Sequence, residues 1–74
     1  MLSVIKERRM GTWEVTVEFE SNGRVAYRHY RVSGSDIYSA ISEVTYYLDE
    51  GVFSCPFDVE DGYSRAIVAI ELLD

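Results

Sequence analysis

The sequence contains one thiol and one imidazole as candidates for nucleophilic chemistry, Cys55 and His29. A reactive cysteine needs a lowered thiol pKa, such as a helix N-terminus provides, and a base within reach. Cys55 precedes Pro56 in an apolar stretch without such support, where a cysteine usually packs as a small hydrophobic residue. His29 falls in the middle of a predicted strand, and we interpret it as solvent-facing. We therefore predict that the chain is not an enzyme and has no catalytic residues.

Metal and cofactor sites are also poorly supported. A single Cys and a single His are too few for a Cys-rich zinc site or a multi-histidine site. The acidic run DVEDGY (58–63) is shorter than the roughly twelve-residue loop that binds Ca²⁺. The glycines that break the pattern each mark a turn or a helix end, and none belongs to a phosphate-binding fingerprint. We predict no metal and no cofactor.

Acidic side chains are the strongest compositional signal. Seven basic and thirteen acidic residues give a formal net charge of −6, which argues against direct binding to nucleic acid. The charge is also uneven, because residues 1–35 carry a formal +2 and residues 36–74 carry −8. Concentrated charge of one sign costs self-repulsion that a basic partner would offset. The alternative is that these carboxylates only increase solubility.

Some of the carboxylates recur at strand spacing. Alternate residues of a strand are about 6.7 Å apart, so rows of acids on a sheet could replace a track of phosphates. Paired carboxylates for glycosidase chemistry would need a cleft, which a single sheet with one helix hardly offers. We predict that the following residues bind the partner: Glu14, Glu18, Glu20, Asp49, Glu50, Asp58, Glu60, Asp61 and Glu71.

Tyrosine is the second compositional bias, with six in the chain. A core of this size needs only about two of them, and tyrosine is enriched in protein interfaces. We predict Tyr27, Tyr46 and Tyr63 as interface aromatics. The alternative is an ordinary amphipathic surface.

The first element that positions these residues is a hairpin. Apolar residues alternate with polar ones over 12–20, which predicts a half-buried strand. Asn22-Gly23 follows and favours a type I′ turn into a second strand over 24–32. This turn places Glu14 opposite Arg31 and Thr16 opposite His29. It also places Arg28 opposite Val17 on the apolar face, a mismatch that predicts a bulge or a register shifted by one residue.

A helix over about 36–50 should follow. Ser33 or Ser35 could cap its first turn, and Asp36 suits the positive end of its dipole. Gly51 is a natural end, because it can take the left-handed conformation. One stripe of apolar residues then faces the sheet: Ile37, Ala40, Ile41, Val44 and Leu48.

Residues 52–74 predict a second hairpin. Pro56 interrupts its first strand, which would then be an edge or bulged strand. Asp61-Gly62 is a second type I′ signal, which would place Asp58 opposite Arg65 and leave Ile67 facing outward. The last strand is the strongly apolar SRAIVAIELL (64–73).

The predicted fold is therefore α+β, a ββαββ single domain over 1–74 with a four-stranded antiparallel sheet and one helix on one face. Residues 1–11 fit a short strand, an arm or a helical turn. The predicted core is Trp13, Val15, Phe19, Ile41, Val44, Leu48, Val68 and Ile70.

Size and terminal sequence add two further expectations. A chain of 74 residues buries only about 60% of its unfolded surface, so we expect a homodimer, joined through Ile67, Leu73 and the surplus tyrosines. No apolar run approaches the ~18 residues of a membrane span, and the charges in MLSVIKERRMG do not fit a signal peptide. With a lone Cys, this favours the cytoplasm and no membrane partner.

In size and charge pattern the chain resembles the small acidic bacteriophage proteins that inhibit host DNA-binding proteins by mimicking DNA. The resemblance rests on the nine acidic residues named above and on the −8 of residues 36–74, and on no specific motif. It implies a dimer that occupies the DNA-binding surface of a basic nucleic-acid-binding protein. The alternative function is an assembly or antitoxin-like module that binds through tyrosines without charge mimicry.

Overall fold

The computed structural model describes residues 10–74, and the predicted alternatives for residues 1–9 lie outside that range. The described residues form an antiparallel sheet of three strands, one α-helix and one short 3₁₀ helix. Their bounds are β1 (Gly11–Ser21), β2 (Arg24–Gly34), α1 (Ile37–Asp49), the 3₁₀ helix (Val59–Asp61) and β3 (Ser64–Leu72). The α+β class is confirmed, whereas the predicted fourth strand and the ββαββ order are wrong for this part of the chain.

The first hairpin follows the predicted register. Glu14 lies opposite Arg31 and Thr16 opposite His29. The turn residues Asn22 and Gly23 have φ values of 52° and 79°, and the type I′ turn requires such positive values at both positions. A local sequence signal therefore sets the pairing of the two long strands.

The mismatch between Val17 and Arg28 is accommodated without a bulge. The two residues are directly paired in an uninterrupted β1–β2 ladder, so the predicted bulge or register shift is wrong. The Arg28 guanidinium stays exposed and donates a hydrogen bond to the carbonyl of Tyr27. The long side chain thus reaches solvent from the rim of the apolar face.

The second predicted hairpin does not form. Residues 52–63 contain only the 3₁₀ helix, and β3 pairs with β1, with Ser64 opposite Glu20. The N–H groups of Val52 and Phe53 both donate to the carbonyl of Tyr47 at the end of α1, and Pro56 has no N–H to donate. These residues are therefore not free to form a ladder with β3.

The β1–β3 pairing contains an irregularity that reverses two predicted orientations. Val17 pairs with Ile67 and Thr16 with Ala69, so Val68 is the extra residue of a bulge. Ile67 consequently packs against the core and Val68 is exposed. The prediction that Val68 lies in the core and Ile67 faces outward is wrong for this reason.

Helix α1 lies within the predicted span and ends before Gly51 as predicted, whereas the predicted capping by Ser33 or Ser35 is wrong. The Asp36 carboxylate accepts a hydrogen bond from the N–H of Ser39 at 2.8 Å, so Asp36, rather than a serine, is the N-cap. At the other end Gly51 has a φ of 76°. The N–H of Gly51 donates to Leu48 and that of Val52 to Tyr47, the bond pattern of a Schellman motif.

The core lies between α1 and one face of the sheet. Four of the eight predicted core residues are buried, namely Val15, Phe19, Val44 and Leu48. Trp13, Ile41 and Ile70 are half-buried at its margin. The remaining buried hydrophobic residues, which the prediction omitted, are Val17, Tyr30, Val32 and Ala40.

Gly34 lets the helix begin close to the sheet. A Cβ at this position would lie 3.0 Å from the backbone nitrogen of Ala40 and 3.1 Å from the Cβ of Ser39. Since β2 leads directly into α1 here, the glycine sets how closely α1 packs over β2.

Candidate protein-binding surfaces

Three chain segments meet at the end of the sheet beside the Asn22-Gly23 turn, where β1 ends, β3 begins and the 3₁₀ helix lies. The C-terminal end of α1 lies nearer the middle of the sheet, since Phe53 contacts both Tyr47 and Tyr30. A salt bridge from Asp49 to Arg65 links it to the start of β3. The hydroxyl of Ser21 donates to the carbonyl of Gly62 at 2.6 Å, which holds the 3₁₀ helix next to the β1 terminus. We call the carboxylates at this end of the sheet and at the C-terminal end of α1 the acidic end: Glu20, Asp49, Glu50, Asp58, Glu60 and Asp61.

Little positive charge balances the acidic end. Arg65 is paired with Asp49, and Arg24 follows the hairpin turn. The predicted pair of Asp58 with Arg65 is not formed, because Asp58 precedes the 3₁₀ helix instead of lying in a strand. The last turn of α1 contains no basic residue, so the negative end of the helix dipole adds to the negative potential.

The face of the sheet opposite α1, which we call the open face, holds the other predicted acids. Glu14 and Glu18 lie on β1 and Glu71 on β3, and their alternation along the strands agrees with the predicted spacing. Glu14 is paired with Arg31 at 3.5 Å, an arrangement that leaves the arginine mostly exposed. Glu71 lies opposite Glu14 on the neighbouring strand. This face therefore presents mixed charge instead of a continuous acidic row.

Tyrosine and histidine side chains occupy the middle of the open face. A hydrogen bond to the Glu18 carboxylate raises the pKa of the Tyr27 phenol, and the charge on Glu18 adds to this effect. Two residue pairs along the ladder, on the same face, the Thr16 hydroxyl and His29 Nδ1 are 2.9 Å apart. Both contacts join a side chain of β1 to one of β2, so they stabilise the pairing of these strands on the open face.

The candidate nucleophile and base lie on opposite sides of the sheet. His29 is on the open face beside Thr16, whereas the half-buried Cys55 packs against the core from the segment 52–63. The thiol of Cys55 lies 3.2 Å from the hydroxyl of Tyr63. A hydrogen bond to Cys55 is the main cause of the raised pKa of Tyr63.

The three predicted interface tyrosines have different surroundings. Tyr27 is exposed on the open face. Tyr46 is exposed on α1, edge-on to Tyr47 with ring centroids 5.7 Å apart. Tyr63 is half-buried and packs edge-on to Phe19 at 5.8 Å, so it is largely a core residue.

Sequence reasoning missed Tyr38, the most exposed of the tyrosines at 76%. Tyr38 and Tyr46 are eight residues apart on α1, and positions i, i+4 and i+8 share one face of a helix. Together they line a shallow depression with Ser42, Glu43 and Tyr47. A hydrogen bond to Glu43 raises the pKa of Tyr47. The spacing of the two exposed tyrosines is the signal that could have identified this surface.

Residues 10–74 contain neither a metal-binding cluster nor a membrane-spanning helix. No group of three or more His, Cys, Asp or Glu side chains there could hold a metal ion. No helix in the same range is long and apolar enough to cross a membrane.

No protein-family model, curated protein or solved structure matches the chain.

Proposed function

We propose that the chain is a non-catalytic interaction protein that binds and inhibits a basic nucleic-acid-binding protein. Its carboxylates would occupy the positions where the partner receives phosphates. The observation that carries the proposal is the acidic end, where six exposed carboxylates lie near the start of β3 and the end of α1, and within residues 10–74 only Asp49 of the six is paired with an arginine. In this role the protein would act in the cytoplasm, in the manner of DNA-mimic inhibitors.

The acidic end is costly for the fold, which favours a functional over a solubilising role. Glu50 caps the C-terminus of α1, where negative side chains are unfavourable by about 0.3–1 kcal/mol. Asp58, Glu60 and Asp61 follow within one short loop and are all exposed. Solubility would be served equally well by acids spread over the surface, without the mutual repulsion.

The experiment is a gel-shift competition with purified basic DNA-binding proteins, each bound to a labelled duplex. The wild-type chain should release the duplex without binding it, since its net charge of −6 repels DNA. The triple variant Asp58→Lys, Glu60→Lys and Asp61→Lys should lose competition by orders of magnitude. These side chains are exposed, so far-UV circular dichroism should show an unchanged fold.

A control variant with the same change in net charge shows whether the position of the reversed charges matters, or only their total. The variant Glu14→Lys, Glu18→Lys and Glu71→Lys reverses three acids on the open face instead. Competition should survive better in this variant than in the acidic-end variant. Full competition by the acidic-end variant would contradict the proposal.

The second candidate is a module that binds protein through tyrosines, and the exposed pair Tyr38 and Tyr46 favours it. In that case Tyr46→Ala should abolish binding while the acidic-end variant retains it. Binding by charge should weaken steeply as salt rises, whereas tyrosine packing should not. Tyr63→Ala is a poor test, because Tyr63 packs against the buried Phe19.

A further inference from the structure

The outer face of α1 carries a shallow groove that combines three tyrosine rings with a carboxylate. We call it the tyrosine groove, and it is lined by Tyr38, Ser39, Ser42, Glu43, Tyr46 and Tyr47. Side chains of a helix lean toward its N-terminus, so Tyr46 and Tyr47 lean over the turn that holds Ser42 and Glu43. Along the helix, Glu43 therefore lies between the ring of Tyr38 and the rings of Tyr46 and Tyr47.

Glu43 is a half-buried carboxylate without a salt bridge in residues 10–74. It accepts a hydrogen bond from the phenol of Tyr47. A carboxylate offers about four acceptor sites, so this one bond leaves capacity for donors from another molecule. Partial burial also weakens the screening of the Glu43 charge by water, which favours a donor that is itself charged.

The helix that forms the groove contains no basic residue. Between Arg31 and Arg65 the sequence has no lysine, arginine or histidine. Arg65 partly offsets the raised pKa of Tyr63. At Tyr47 the charge of Glu43 adds to the hydrogen bond in raising the pKa, and no cation of residues 10–74 opposes it. The groove is thus aromatic and negative, which is the chemistry that attracts a cation from another molecule.

We propose that the tyrosine groove binds an arginine side chain of a partner protein. The guanidinium donates to the Glu43 carboxylate and lays its planar face against the ring of Tyr46, which meets Tyr47 edge-on at 5.7 Å. The exposed hydroxyl of Ser42 lies in the same groove and can accept a further N–H. Arginine fits better than lysine, because its flat guanidinium stacks on aromatic rings and is more weakly hydrated than an ammonium.

This binding mode deepens the second candidate function and rests on it, since both use the exposed tyrosines of α1. It adds the chemistry that the partner presents at that surface. The acidic end is a separate surface, because Asp49 and Glu50 lie at the C-terminal end of α1 and do not line the groove. Arginine binding in the groove and competition with DNA at the acidic end are therefore measured by different assays, and each can fail without the other.

An NMR titration of the isotope-labelled full chain with a capped peptide of alternating glycine and arginine tests the proposal. Shifts of backbone amides should cluster in residues 38–47. The matching citrulline peptide keeps the planar group without its charge and should produce no such cluster, and a lysine peptide should bind more weakly than the arginine peptide. A cluster at residues 58–61 would place the peptide at the acidic end and overturn the proposal. Shifts of residues 38–47 that depend on protein concentration without peptide would assign the groove to a second copy and also overturn it.

Substitutions with matched controls test the individual contacts. Glu43→Gln and Tyr46→Leu should each weaken binding of the arginine peptide about two- to fivefold, as expected for exposed ion pairs and cation–π contacts. Tyr46→Phe should bind like the wild type, because it keeps the ring. Glu18→Gln and Tyr27→Leu are the controls, since the Tyr27 phenol also donates to a carboxylate but lies on the open face, and both should leave affinity unchanged. Equal losses in the two sets, or wild-type affinity in Glu43→Gln, would overturn the proposal.

Discussion

The two outer strands of the sheet contrast sharply. β2 is held by an eleven-residue ladder to β1, leads directly into α1 and lies beneath it. β3 follows an irregular segment, contains a bulge at Val68 and leaves much of its apolar surface exposed. The fold is therefore stabilised mainly on the β2 side, whereas the β3 side keeps apolar side chains exposed.

The segment 52–63 explains how the β3 side stays in place without a covering helix. Phe53 stacks on Tyr30 with ring centroids 4.7 Å apart and meets Tyr47 edge-on at 5.1 Å. The Tyr30 hydroxyl donates to the carbonyl of Ser54 at 2.8 Å. Aromatic contacts thus fasten the segment to β2 and α1, while β3 itself depends on β1.

Truncation of one leucine on each side gives the largest expected contrast. Leu48 of α1 is 7% exposed and Leu72 of β3 is 52% exposed. Leu48→Ala should reduce the free energy of unfolding by about 2–5 kcal/mol, the usual cost of a cavity in a core. Leu72→Ala should cost less than half as much. Urea denaturation at a dilute protein concentration that disfavours self-association measures both, and equal losses would break the comparison.

The two Xaa-Gly turns give the next contrast. Gly23 completes a turn in which both residues have positive φ, whereas Gly62 has φ 71° and ψ 141°. That region is nearly exclusive to glycine, so Gly62→Ala should cost about 1–3 kcal/mol. Gly23→Ala should cost about 1 kcal/mol. Thermal unfolding orders the two variants, and a larger loss in Gly23→Ala would argue for a regular type I′ turn at Asp61-Gly62.

These two turns also show what sequence alone could establish. Asn22-Gly23 and Asp61-Gly62 carry the same local signal, and only the first forms the predicted hairpin. The second is decided by contacts distant in sequence: Ser21 binds the carbonyl of Gly62, and β1 takes β3 as its partner. Local signals therefore predicted the first hairpin and α1 correctly, but they could not predict that β3 pairs with β1.

The candidate surfaces also combine features that the local sequence predicted and features that it could not predict. Composition identified the acidic residues, and the register of the first hairpin correctly placed Glu14 opposite Arg31. Arg65 pairs with Asp49 instead of the predicted Asp58. This choice depends on where α1 ends relative to β3, which the local sequence does not show. The orientation of Ile67 and Val68 depends on a bulge, which period-two alternation cannot reveal.

Alkaline pH should weaken the contact that Tyr30 of β2 makes with the segment 52–63. Burial is the main cause of the raised pKa of Tyr30. Its neutral phenol is therefore favoured in the folded state, and the resulting stability is complete below the unfolded value of about 10. This stability is lost as pH rises through the higher folded-state pKa, because the unfolded chain releases its proton first.

The variant Tyr30→Phe isolates this contribution. At neutral pH it should cost about 0.5–1.5 kcal/mol, the value of one hydrogen bond, here the one to Ser54. The difference from wild type should shrink above pH 10, since phenylalanine does not ionise. Tyr38→Phe is the control, because Tyr38 is mostly exposed, and it should leave stability unchanged at neutral pH. A Tyr30→Phe difference that stays constant through alkaline pH would contradict the assigned burial.

The smallest expected effect has the opposite sign and links the fold to the acidic end. Glu50 is exposed at the C-terminus of α1, where the last turn contains no basic residue. Glu50→Lys should increase the free energy of unfolding by about 0.3–1 kcal/mol, because a cation suits the negative end of the helix dipole. The gain should diminish in high salt, since exposed charges are screened. The same variant should weaken competition in the gel-shift assay. Glu50 would then lower the stability of the fold while contributing to binding of the partner. Glu20→Lys, at an exposed acid on β1, is the matched control for charge, and an equal gain in stability there would remove the helix terminus as the cause.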